Sequence, residues 1–213
     1  MSDKWCEYQI KNHYGTEFWI PACEPEHCIK QRINHGIQAT NCLAELCHKR
    51  DVIIQAGGNW GYWPLRLSEV FGVVYTFEPE SECFSCLTIN TAHCRNVIRF
   101  QAALGDTREL VGLGRIDNST GTQYVMRELG GIYPTLRIDD LALPECDVIY
   151  LDIQFEEPSA LRGARETIAR CKPMLICEVM TDFAEWPGKP IIEEMGYEPV
   201  DDINKCDVVM MPR

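Results

Sequence analysis

The sequence predicts a doubly wound, Rossmann-like α/β fold: a mostly parallel seven-stranded sheet with an antiparallel C-terminal strand. Three observations predict it. Short apolar runs (Asp51–Ala56, Val73–Phe77, Asn96–Ala102, Asp147–Asp152 and Pro173–Val179) alternate with helix-patterned segments, as βαβ units require. The first run ends in Gly57-Gly58, the mark of a buried strand entering a tight turn. Two last runs, Tyr197–Val200 and Cys206–Met211, follow each other with a short connection, as in a closing antiparallel pair.

Residues 1–27 are polar, with scattered aromatics and two prolines. They match neither strand nor helix period and read as a loop-rich N-terminal segment. From Glu26 to Lys49 the spacing of Ile29, Ile33, Ile37, Leu43, Leu46 and Cys47 suits one or two helices, interrupted near Gly36. Tyr62–Val70 is expected as a helix with Pro64 in its first turn, Ser81–His93 as the next, and Pro158–Arg170 as a single helix. The stretch around Asn118–Gly121 is variable. Residues 1–50 are thus expected to pack on the core, and residues 51–213 to form the α/β unit of a single domain.

With 213 residues, 46% of them hydrophobic, the chain can bury one good-sized core. A formal charge of −12, from 32 acidic and 20 basic residues, argues against nucleic acid and anionic membrane surfaces as partners. Neutral small molecules and glycans stay open. The start of the chain lacks a basic region leading into an apolar run, and no 18 apolar residues are consecutive. A soluble cytoplasmic protein is expected, its 12 cysteines free thiols. Cys83, Cys86, His93 and Cys94 are zinc-type ligands, but the three cysteines share one helical face. Thiols packed against the sheet are expected, and no metal.

In such sheets ligands bind beyond the carboxyl ends of the strands. Four positions there agree: the turn Gly57-Gly58-Asn59-Trp60-Gly61; Glu78 and Pro79, with Glu78 about 20 residues further on, placed to accept ribose hydroxyls; Ala102–Asp106, small enough to lie against adenine; and Asp152. A dinucleotide site prefers G-x-G-x-x-G, whereas this turn reads G-x-N-x-G. An asparagine there suits a nucleoside with an amino-acid tail.

These blocks resemble the FkbM family of methyltransferases from about Asp51 to Val179. The family's V-I-D-V-G-A-N-x-G is similar to Val52–Gly61, and its F-E-P to Phe77–Pro79. T-L-x-x-D-D-L corresponds to Thr135–Leu141, L-D-V-E-G-Y-E to Leu151–Glu157, and P-x-x-x-x-E to Pro173–Glu178. The resemblance implies a class I methyltransferase fold, S-adenosylmethionine as donor and a hydroxyl oxygen as the usual acceptor. It places Gln55, Gly57, Asn59 and Gly61 near the methionine end, Glu78 on the ribose, and Ala103 and Leu104 by the adenine.

Three residues depart from the family pattern. Gln55 replaces an acid, Gln154 a glutamate and Phe155 a glycine. Phe155 is expected to fill acceptor space and to resist backbone shapes that glycine adopts easily. Asp152 is the first candidate for base or orienting group, as against a structural carboxylate, followed by Glu156, Asp139 and His13. Trp19 and Tyr14 offer a substrate platform or plain packing, and Glu178 a substrate contact or a satisfied buried acid. The functional expectation is O-methylation of a small molecule or glycan. The alternatives are a cofactor-binding protein without transfer and, third, an NAD-dependent oxidoreductase.

Overall fold

A computed structural model describes residues 8–13, 16–127 and 130–213. Strands β3 (Val52–Ala56), β4 (Val73–Phe77), β5 (Val97–Phe100), β10 (Val148–Leu151), β11 (Met174–Glu178), β12 (Tyr197–Ile203) and β13 (Asp207–Pro212) build the main sheet, in the order β12, β13, β11, β10, β3, β4, β5. Only β13 runs antiparallel to its neighbours. The expected seven-stranded topology is present. Its central strands β3 and β10 are buried along their whole length because both faces are covered. One face packs Ile53, Val74, Val148 and Ile176 under the N-terminal helix; the other packs Ile54, Ile149 and Leu175 under the C-terminal helices.

The intervening helices are α2 (Tyr62–Leu67), α3 (Ser81–Asn90), α4 (Glu157–Arg162), α5 (Arg165–Cys171) and α6 (Lys189–Glu194). The single helix expected over Pro158–Arg170 is two, because Asp139 accepts from the amides of Glu166 and Thr167 and so caps a fresh start. Cys83 and Cys86 are buried on α3, and the described cysteines are free thiols. Among the described residues no helix is long and apolar enough to cross a membrane, and no His/Cys/Asp/Glu group could hold a metal ion.

Two expectations for the N-terminal region are corrected. The segment read as loop-rich contains an antiparallel hairpin, β1 (Tyr8–His13) and β2 (Thr16–Pro21). Its anchor is distant: the Asn90 side chain accepts from the Trp19 amide and donates to the carbonyls of Trp19 and Trp60, while Phe18 and Ile20 enter the core. The following helix, α1 (Glu26–Leu46), runs unbroken through Gly36.

Gly36 is buried where α1 crosses α2, and a Cβ there would lie 2.8–2.9 Å from ring atoms of Trp63 and Tyr62. The missing methyl lets the helix lie directly on the indole, so packing outweighs the ~1 kcal/mol helix cost of glycine. On either side of the variable stretch around Asn118–Gly121, β7 (Leu110–Arg115), β8 (Gln123–Met126) and β9 (Tyr133–Leu136) join the two-residue β6 (Ala103–Leu104) as a small second sheet. Glycines 112 and 114 blur its alternation, yet Gly114 leaves the space taken by the Tyr124 ring.

Gly36→Ala gains helix propensity but overpacks two buried rings; a net loss of about 1–2 kcal/mol in urea denaturation is expected. A stabilised variant would show that the ring contact is not limiting.

Candidate functional site

Register brings the site together. Ala56 lies level with Phe77 on one side and with Leu151 on the other. The chain therefore leaves the three strands at one height, delivering Gly57, Glu78 and Asp152 to a common crevice where the connections diverge. Gly57 has φ +89°, and a Cβ on it would meet the Asp152 carbonyl oxygen at 2.1 Å. Only glycine fits there.

The crevice is a cleft of about 630 Å³. Gly57, Asn59, Glu78, Pro79, Ala103, Leu104, Asp152 and Glu156 all line it. Two other predicted positions stand apart. Gln55 is fully buried within the sheet, accepting from the Thr76 hydroxyl at 2.7 Å, with its Nε2 unpartnered. Gly61 has φ +91° and backs onto Leu87 of α3.

Glu78 is buried, and both carboxylate oxygens are oriented by backbone amides: Asn59 donates to Oε2 at 2.8 Å and Glu80 to Oε1 at 2.9 Å. Burial pushes its pKa up to about 7, against the pull of these amides. Lone pairs remain on both oxygens, as two neighbouring hydroxyls would require. Asn59 accepts through Oδ1 from the Trp60 amide and the Thr120 hydroxyl, which leaves its Nδ2 to donate. A carboxylate for a diol, a collision-free glycine turn and an apolar Ala103-Leu104 edge fit an adenosyl group with an amino-acid tail.

The opposite wall was not visible in the sequence. Arg32 of α1, Thr120 and Tyr124 line the cleft. Buried Glu24 holds Arg32 and Thr120 in place, accepting from Arg32 Nε at 3.1 Å, Ser119 Oγ at 3.2 Å and the Thr120 amide at 2.6 Å. This strap joins the start of α1 to the 116–122 turn across the cleft. Arg32 and His35 lie about one helical turn apart on α1, and no motif in the sequence singles them out.

A second cleft of about 380 Å³ shares Arg32, Gly57, Asn59 and Asp152 with the first and adds His35, Trp60, Tyr62 and Trp63. Asp152 stands against Glu178, whose carboxyl is pushed far above the usual range by burial and by that neighbouring charge. Gln154 donates to Glu178 at 2.7 Å. Glu156 is gripped by both Nη atoms of Arg127, at 2.7 and 2.6 Å, and Asp139 is spent on capping α5.

His13 ends β1, paired with Thr16, but its side chain lies outside the described residues, as does Tyr14. Trp19 packs edge-on to Tyr8. Phe155 adopts the left-handed conformation that glycine would favour, with φ 74° directly after Gln154 at φ 49°, and its ring is largely exposed. The expectation that it resists this shape and fills acceptor space is therefore corrected: the loop keeps its path and directs the ring outward, storing strain in two successive residues.

The FkbM methyltransferase domain model matches residues 51–199. The chain belongs to the FkbM family of S-adenosylmethionine-dependent methyltransferases. Its fold is similar to a methyltransferase FkbM from Methylobacillus flagellatus KT, at 18% identity and TM-score 0.53 over 76% of this chain. The chain spans 43% of that protein's length. It is also similar to M. jannaschii TYW2 in complex with AdoMet, at 13% identity and TM-score 0.52, over 97% of this chain and 87% of that one. No curated protein sequence matches significantly.

Two predictions concern this FkbM site. Glu24→Ala leaves three donors of a buried strap without their acceptor and should cost about 2–3 kcal/mol, read from the urea midpoint. Gln154→Glu restores the family's residue type but replaces a donor with a carboxyl beside Glu178 and Asp152. Such a carboxyl has a raised pKa in the folded state: at low pH it is protonated folded or unfolded, and as pH rises the unfolded chain ionises first. The variant should thus match the wild type near pH 4 and fall progressively behind by pH 8 in urea denaturation. A deficit independent of pH would refute the carboxyl-crowding account.

Proposed function

We propose that this FkbM protein transfers a methyl group from S-adenosylmethionine to a hydroxyl oxygen of a small molecule or glycan. The observation that carries the reading is Glu78: a buried carboxylate, oriented by two amides, at the strand end where a ribose is held in such sheets. Ala103 and Leu104 then face the adenine, and Gly57, Asn59 and Asp152 the amino-acid tail. Arg32 supplies the cation of that wall.

Bound S-adenosylmethionine supplies an electrophilic methyl carbon. The chain's own share is to align donor and acceptor and to exclude water. The Glu24–Arg32–Thr120 strap closes one side of the cleft for that purpose. A net charge of −12 suits a neutral acceptor better than nucleic acid or an anionic membrane, and the free thiols suit a reducing cytoplasm.

Calorimetry with S-adenosylhomocysteine and with NAD tests the cofactor. Glu78→Ala should weaken S-adenosylhomocysteine binding by about 1–3 kcal/mol. In the wild type, affinity should strengthen as pH rises through about 7, because the ionised Glu78 accepts both hydroxyls. Tight NAD binding with no S-adenosylhomocysteine binding would overturn the reading. Labelled-methyl transfer to a panel of sugars and hydroxy compounds then tests transfer itself; binding with silence throughout the panel would favour a cofactor-binding role without transfer.

A further inference from the structure

The second cleft opens from the proposed cofactor site at Arg32, Gly57, Asn59 and Asp152, the residues both clefts share. Its own walls differ in kind. Trp60, Tyr62 and Trp63 make it aromatic, and His35 projects into it from α1. The Trp60 indole Nε1 is buried without a hydrogen-bond partner. A buried N–H left unpaired is destabilising, so an oxygen acceptor supplied by a ligand would relieve it. His35 packs edge-on to Trp63, with ring centroids 6.1 Å apart, and neither ring nitrogen is bonded by a described residue.

We propose that this second cleft receives the acceptor and that His35 is the catalytic base that takes the acceptor's hydroxyl proton. The assignment rests on the methyltransferase reading and deepens it. The other bases at the junction are engaged: Glu156 by Arg127, and Asp152 with Glu178. Burial holds His35 below the ordinary histidine value; Asp152, directly after β10, opposes this and Arg32 from its own helix reinforces it. The imidazole is therefore neutral at pH 7, with a free nitrogen to accept a proton. Asp152 then stabilises the imidazolium as it forms.

The step balances without further reagents. The acceptor O–H bond breaks toward an imidazole nitrogen, and the oxygen lone pair forms the new C–O bond to the methyl carbon. The S–CH₃ bond breaks with its electron pair passing to sulfur, giving a neutral thioether, an ether product and an imidazolium that loses its proton to water. A neutral hydroxylated ring compound suits the cleft, its face toward the aromatic wall and one oxygen toward Trp60 Nε1.

NMR on the intact chain tests the placement without knowledge of the acceptor. Nitrogen-15-labelled protein is saturated with S-adenosylhomocysteine, or with an analogue bearing a protonated amine where the methylsulfonium stands, and imidazole signals are followed against pH. His35 is assigned by signal loss in His35→Gln, or in His35→Asn should the first variant not fold. The His35 midpoint should fall by about half a pH unit or more in the amine complex relative to the S-adenosylhomocysteine complex. The exposed His27, His48 and His93 serve as references and should not move. Equal His35 midpoints in the two complexes would put the ring away from the transferring group and overturn the assignment while leaving the cofactor reading intact. Failure of both ligands to bind would instead overturn the cofactor reading, and the base assignment with it.

Discussion

The parallel register of β3 with its two neighbours is the constraint on which the site depends. Because Ala56, Phe77 and Leu151 are level, the residues that follow them are neighbours despite lying up to about a hundred positions apart. A slip of one residue would turn every side chain to the opposite face. The buried apolar faces of β3 and β10 forbid that slip, so hydrophobic packing sets the position of Glu78 and Asp152 before either makes a polar contact.

Once placed, these polar groups are held by backbone more than by other charges. Two amides orient Glu78, and the glycine turn fits under the Asp152 carbonyl with no space for a side chain. Such fixed dipoles need little reorganisation when a ligand arrives. The second wall works differently. Glu24, Arg32, Ser119 and Thr120 form a side-chain network linking the N-terminal region to the second sheet, so the cleft is bounded by parts of the chain with no local reason to meet.

The family departures read differently in three dimensions. Gln154 looks like a lost acid in the sequence, but its amide hydrogen-bonds Glu178 in a neighbourhood already crowded with carboxyls. Gln55 sits inside the sheet with Thr76 as its partner. Phe155 keeps the glycine-like backbone and turns its ring to solvent. Each change alters the charge or strain around the cleft without blocking it.

The succession of strands along the chain, the glycine turn and Glu78 were legible in the sequence, because parallel strands buried on both faces leave continuous apolar runs and ligand positions fall directly after them. The FkbM blocks were legible for the same reason, being those same strand ends. The hairpin, the second sheet, Arg32, His35 and the strap were not. The hairpin depends on Asn90, some 70 residues away, and Gly36 sits in a helix because an indole needs its space. Local pattern records which face of an element is apolar; it carries no record of which distant element that face will meet, and the tertiary structure alone decided the far wall of the cleft.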